Sequence, residues 1–191
     1  MIHRLTYSIV VALLASVLFA RCTSGKSPGA DATSSGDSAE VVAAVVAGKL
    51  VFPAKPSMMV SDFAGVLTDS IRGLEDDLRR YASEVPIEIM VVSMAHIGDS
   101  DVWQLAHEMG KRWHLAEKER AVLILIVPKS PDGSAQAAIF ASQGIRHIFS
   151  DTYCRGVVSN VMQPLLNDKN YYGAAAATVE DVLKTLSNVQ L

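Results

Sequence analysis

Residues 121–127, Ala-Val-Leu-Ile-Leu-Ile-Val, form an unbroken apolar run closed by Pro128, and four of the seven are β-branched. The run is too short for an ordinary helix, so it predicts a strand buried on both faces. Residues 129–134 then carry the turn signal Pro131-Asp132-Gly133. Residues 135–141 predict a second short strand, folded back on the first as a hairpin. A strand buried on both faces needs helices on both faces. That requirement sets what the rest of the chain must supply.

The flanking segments supply it. Thr68 or Asp69 can cap a helix running to Glu84, with Ile71, Leu74, Leu78 and Tyr81 on one stripe. Glu75, Asp76, Asp77, Arg79 and Arg80 fall to its outer, solvated face. Pro86 ends that helix, and residues 87–92 predict the next strand. A second helix starts at Asp99 or Ser100 and turns Val102, Leu105, Ala106, Met109 and Trp113 inward. A third helix over 151–166 buries Cys154, Val157, Val158, Val161 and Leu165, and a fourth spans 172–186. The order predicts an α/β fold, a small mixed sheet sandwiched between helices. The strands at 87–94 and 121–127, joined through a helix, should be parallel with a right-handed crossover.

Charge excludes one class of partner. The net charge is −3, and removing residues 1–21, which carry Arg4 and Arg21, leaves 15 basic against 20 acidic residues, or −5. No basic stripe or cluster marks a nucleic-acid surface. Two cysteines, Cys22 and Cys154, give no disulfide framework. Cys154 shares a face with valines and reads as a core thiol, not a nucleophile partnered by His147. His96, His107 and His114 lack metal-ligand spacing, and no phosphate-binding glycine pattern occurs.

The N-terminus divides into three parts: a signal segment over 1–21, a flexible tether over 22–50 and a domain over 51–191. His3 and Arg4 precede an uncharged run from Leu5 to Ala20, the layout of a secretory signal. The run is short of the roughly 20 residues a spanning helix needs. Leu18-Phe-Ala-Arg-Cys22 resembles the lipobox of bacterial lipoproteins, whose cysteine is lipidated; Arg21 stands where that pattern has a small residue. An uncleaved anchor and cleavage elsewhere are the alternatives. Residues 23–40, rich in Ser, Gly, Ala and Asp, bury too little to order themselves. Val41 to Val46 fits a short helix or a strand. The expected place is outside the cytoplasm, anchored at the cell envelope.

Four phrases, in order, resemble the TPM domain family: Val60-Ser-Asp62-Phe-Ala-Gly65-Val-Leu67-Thr68; Arg112-Trp113-His-Leu-Ala-Glu-Lys118; Gln143-Gly144-Ile145 ahead of Ser150-Asp151; and Asn170-Tyr171-Tyr172-Gly173-Ala174. The family includes thylakoid-lumen proteins linked to photosystem II repair and bacterial membrane-attached proteins. The resemblance implies a central sheet between helices. It also implies an acidic cluster near the sheet end, able to bind calcium and support acid-phosphatase chemistry. A hard divalent cation needs several oxygen ligands. The candidates carried over for catalysis or metal binding are Asp62, Glu119 and Asp151. The chain departs from the family where Glu119-Arg120-Ala121 replaces Asp-Asn-Gly and where Ser142-Gln143-Gly144-Ile145-Arg146 replaces Gly-x-Gly-Leu-Glu.

Arg120 and Arg146 are therefore expected beside those acids, supplying charge from within the chain. A guanidinium offers only donors and repels a cation. Asp62 and Asp69 equally suit turn and cap chemistry. Two functions follow. The first is an envelope-tethered, non-catalytic binding, assembly or quality-control module acting on membrane or envelope proteins, with no cofactor. The second is a calcium-binding, metal-assisted phosphatase.

Overall fold

The computed structural model describes residues 45–46, 49–67, 71–131 and 133–189. The expected signal segment, Cys22, most of the expected tether, the expected caps Thr68 and Asp69, and Asp132 of the turn lie outside the described residues. A short antiparallel pair, β1 (Val45–Val46) and β2 (Lys49–Leu50), comes first. It falls in the last residues assigned to the tether, and it resolves Val45 and Val46 as strand.

Then follow β3 (Val60–Asp62), α1 (Ile71–Glu84), β4 (Glu88–Ser93), α2 (Val102–Arg112), β5 (Ala121–Val127) and β6 (Gln136–Ala141). The chain continues with α3 (Asp151–Val157), a π turn over Val158–Met162, α4 (Gln163–Asn167) and α5 (Tyr171–Asn188). Four strands pair in the order β3-β4-β5-β6, the first three parallel and β6 antiparallel to β5. The fold is α/β, with helices packed around a four-stranded mixed sheet, as the sequence predicts. The edge strand β3 was not anticipated: three residues are too few for a periodicity signal.

Alternation along the strands divides the core in two. Ile89, Val91, Val122, Ile124, Ile126 and Ile139 face α1, α3, α4 and α5. Met90, Val92, Leu123, Leu125 and Phe140 face α2. All seven residues of β5 are buried, which is why its run is continuously apolar. The connections β3–α1–β4 and β4–α2–β5 advance the same way across the sheet, yet α1 and α2 lie on opposite faces. The two crossovers are therefore of opposite hand, and only one of them follows the right-handed rule. The loops leaving β3 and β4 diverge to opposite faces.

Three details depart from the expected pattern. The cap of α2 is Asp101, whose Oδ1 accepts the amides of Trp103 and Gln104, each at 2.9 Å. Neither Asp99 nor Ser100 serves.

In the third helix Cys154, Val157 and Val158 are buried as expected, but Met162 and Leu166 take the places assigned to Val161 and Leu165. Pro164 has no N–H to return to Asn160, and the chain widens into the π turn just before it. The extra residue in that turn advances the inward face by one position.

Glu75 is the third. It is buried at 5% exposure, not on the outer face of α1.

Candidate functional site

The carboxyl end of β3 is organised by Asp62. Its Oδ1 accepts the Val66 amide at 3.0 Å and the Ser93 hydroxyl, and its Oδ2 accepts the Leu67 amide at 2.8 Å. Ser93 Oγ in turn accepts the Ala64 amide at 3.0 Å. Gly65 makes the turn possible with φ +67°, a conformation that costs a side-chain-bearing residue. The phrase Val60 to Leu67 is thus a closed turn in which the carboxylate satisfies backbone donors. Two hydrogen bonds fill Oδ1 and one lone pair of Oδ2 is taken, which leaves little for a ligand.

Glu119, Arg120, Arg146 and Asp151 belong to the opposite end of the sheet. Asp62 stands across from Ser93, and Ser93 across from Ile126, whereas Ala121 pairs with Glu88 at the start of β5. Five residues of β5 separate the two levels, about 16 Å at the rise of a strand. The expected gathering of Asp62 with Glu119 and Asp151 does not occur, because parallel strands put the end of β3 and the start of β5 at opposite ends of the sheet.

At the lower end the expected residues meet only in part. Arg146 Nη2 lies 3.0 Å from Asp151 Oδ1, an exposed pair. Glu119 acts through its backbone: its carbonyl accepts the Ser142 hydroxyl at 3.2 Å, and Ser142 Oγ accepts the Ala121 amide at 2.9 Å. Gly144 packs on that same carbonyl so closely that a Cβ would collide with it. The side chain of Glu119 is exposed. Arg120 gives its carbonyl to the Glu88 amide at 3.1 Å, and among the described residues its guanidinium makes no ion pair. Arg120 therefore does not pair with the acids as expected. Among the described residues no three His, Cys, Asp or Glu side chains converge to hold a metal ion. The described residues do not fit the calcium site that the resemblance implies.

Several neighbours were not read from the sequence. Glu75 Oε2 accepts the Val60 amide at 2.7 Å, and Oε1 lies 2.6 Å from Arg79 without the alignment of a hydrogen bond. Its position, four after Ile71 and three before Leu78, was the available signal. His107 donates Nδ1–H to the Trp103 carbonyl at 2.9 Å, which leaves Nε2 to accept from Arg146 at 3.5 Å. The Arg155 guanidinium stacks 4.4 Å from the Trp103 ring. Burial would raise the Glu88 carboxyl, but hydrogen bonds from Lys55 (2.5 Å) and Lys118 (3.2 Å) hold it below its ordinary range. Burial, with Asp151 adding to it, pushes the Cys154 thiol up to about 11. A groove of about 590 Å³ runs between α1 and α5 over Leu74, Tyr81, Val179 and Leu183, away from every predicted site residue.

The sequence profile of the TPM domain matches residues 60–185. The chain belongs to the TPM domain family. The match takes in all four strands of the main sheet and most of α5. Among solved structures, the TPM fold here is similar to the N-terminal domain of a protein from P. gingivalis. The TM-score is 0.60 and the identity 19%, over 69% of this chain and 83% of that one. The N-terminal domain of a Corynebacterium glutamicum protein aligns at 15% identity over 66% of this chain and 78% of that one, with a TM-score of 0.49. No curated protein is significantly similar in sequence.

Proposed function

We propose that this TPM chain is an envelope-tethered binding or assembly module, acting on membrane or envelope proteins, and that it neither holds calcium nor turns over phosphate esters. The observation that carries this reading is the separation of Asp62 from Glu119 and Asp151 by the length of the sheet. Phosphate chemistry needs a concentrated positive centre, and the described residues gather no set of ligands to hold one. Among the described residues the one acid brought against a predicted arginine is Asp151, paired with Arg146. The tether reading rests on the short apolar run that ends at Cys22, before a polar stretch. Among the described residues no helix is long and apolar enough to cross a membrane. Lipidated Cys22 would then supply the attachment, and the partner would be an envelope protein, not a nucleic acid.

The test is hydrolysis of a simple phosphomonoester by the full chain with calcium, alongside Asp151→Asn. The proposal expects no turnover that depends on Asp151. Turnover lost in the variant would establish a phosphatase instead. Attachment is checked separately by fatty-acid labelling, which Cys22→Ser should abolish.

A further inference from the structure

β6 is an outer strand of the sheet, and such strands offer unpaired backbone groups to any passing chain. Its sequence, Gln-Ala-Ala-Ile-Phe-Ala, carries no charge, proline or glycine. Short segments of that composition pair readily with copies of themselves. Among the described residues, no backbone group of Gln136–Ala141 has a main-chain partner outside β5. In an antiparallel strand every second residue aims its N–H and C=O outward. Yet residues 137–141 are only 0–7% exposed, so something covers that side.

The cover comes from both faces at once. Trp103 of α2 packs against both halves of the core, although the sheet separates them. α2 lies over one face and α3 over the other, so their side chains meet only by passing beyond the outer strand. One contact does so, Arg155 of α3 on the Trp103 ring at 4.4 Å, and Arg146, in the loop ahead of α3, adds a second at 3.5 Å from His107. His107 stands edge-on to Phe140 of β6 itself, with ring centroids 5.3 Å apart. Gln163 adds a bond to the Ala135 carbonyl at 3.4 Å, just ahead of the strand. An exposed cation–π contact is weak on its own, so such a clasp holds without being permanent.

We propose that Trp103 with Arg155, and His107 with Arg146, form a clasp that locks the outer edge of β6, and that opening it exposes a strand-pairing surface whose occupant is β6 of a second copy. The second copy is the matching occupant because the strand is uncharged along its length and apolar from Ala137 to Ala141, so two copies laid antiparallel meet without repulsion. Closed, the clasp keeps a chain concentrated at a surface from joining edge to edge.

The experiment compares full chains in one detergent: wild type, Trp103→Ala, Arg155→Gln, and Tyr81→Ala as a control that removes a half-buried ring elsewhere. Sedimentation gives the assembly state and hydrogen exchange follows the amides of 136–141. The expected result is self-association in Trp103→Ala at concentrations at least tenfold below those for wild type and Tyr81→Ala. Exchange of the β6 amides should be at least tenfold faster in the dilute variant and suppressed on association. Arg155→Gln keeps the indole and should shift both readouts in the same direction, which decides the matter if Trp103→Ala does not fold. Folded variants that associate no more than wild type, with β6 exchange unchanged, would overturn the proposal. So would association of Tyr81→Ala to the same degree.

Discussion

Glu75 and Val60 meet across fifteen residues of sequence, the carboxylate taking the backbone amide of the edge strand at 2.7 Å. Val91 donates to the Met59 carbonyl on the inner side of β3, so the amide of Val60 faces outward, away from β4. Glu75 therefore caps an edge donor that would otherwise be buried without a partner. Replacing it with Ala should lower stability by about 2 kcal/mol, the cost of a stranded buried donor. Urea unfolding of wild type and Glu75→Ala measures it. A loss within error would mean that water serves Val60 as well.

The β5–β6 hairpin, the parallel β4–β5 pair and the inward face of α2 were legible because each rests on a local pattern: an unbroken apolar run, a turn signal, a 3.6-residue stripe. β3 was not, since its three residues gain their pairing only from β4. Glu75 was hidden in a charge run, where its neighbours Asp76 and Asp77 do face solvent. The phase of the third helix failed at Pro164, because a period of 3.6 does not anticipate a π turn. The candidate site was misplaced for a topological reason. Motif resemblance carries no strand direction, and the parallel register puts Asp62 and Glu119 at opposite ends of the sheet. Arg146 with Asp151 was found because they lie five residues apart round one short turn.

Acid should act through Glu88. Burial works against its charge, but the bonds from Lys55 and Lys118 prevail and leave its folded pKa below the ordinary 4.5. A lowered carboxyl contributes stability that is present above 4.5 and lost as pH falls through the folded value. The stability of Glu88→Gln should therefore change less than that of wild type below pH 4.5, when each is followed by urea unfolding across that range. Parallel curves would show that the two lysines add nothing in the folded state.

Alkali should act through Tyr153 and Cys154. Burial and the bond to Asp181 at 2.5 Å raise the phenol from 10.0 to about 12, and the thiol rises from 9.0 to about 11. Groups raised on folding contribute stability that is complete below the unfolded value and lost as pH climbs through the folded one. Stability should fall between pH 9 and 12, and less so in Tyr153→Phe. The same burial predicts that a thiol reagent leaves Cys154 unmodified at pH 8 until the chain unfolds. Rapid labelling of the native chain would contradict its place among Phe149, Val157 and Val158.

Among the described residues of this TPM-family chain no acids converge on a cation, because Asp62 lies at one end of the sheet and Glu119 and Asp151 at the other, where Arg146 faces Asp151. Ligands that bind only the folded chain must raise its melting temperature. The direct measurement is thermal unfolding of wild type in chelator and in millimolar calcium, with Arg146→Glu beside it. Wild type should melt at the same temperature in both, while Arg146→Glu, now placing two carboxylates together, should melt lower in chelator and recover part of the loss with calcium. A rise of several degrees for wild type in calcium would instead show a working metal site.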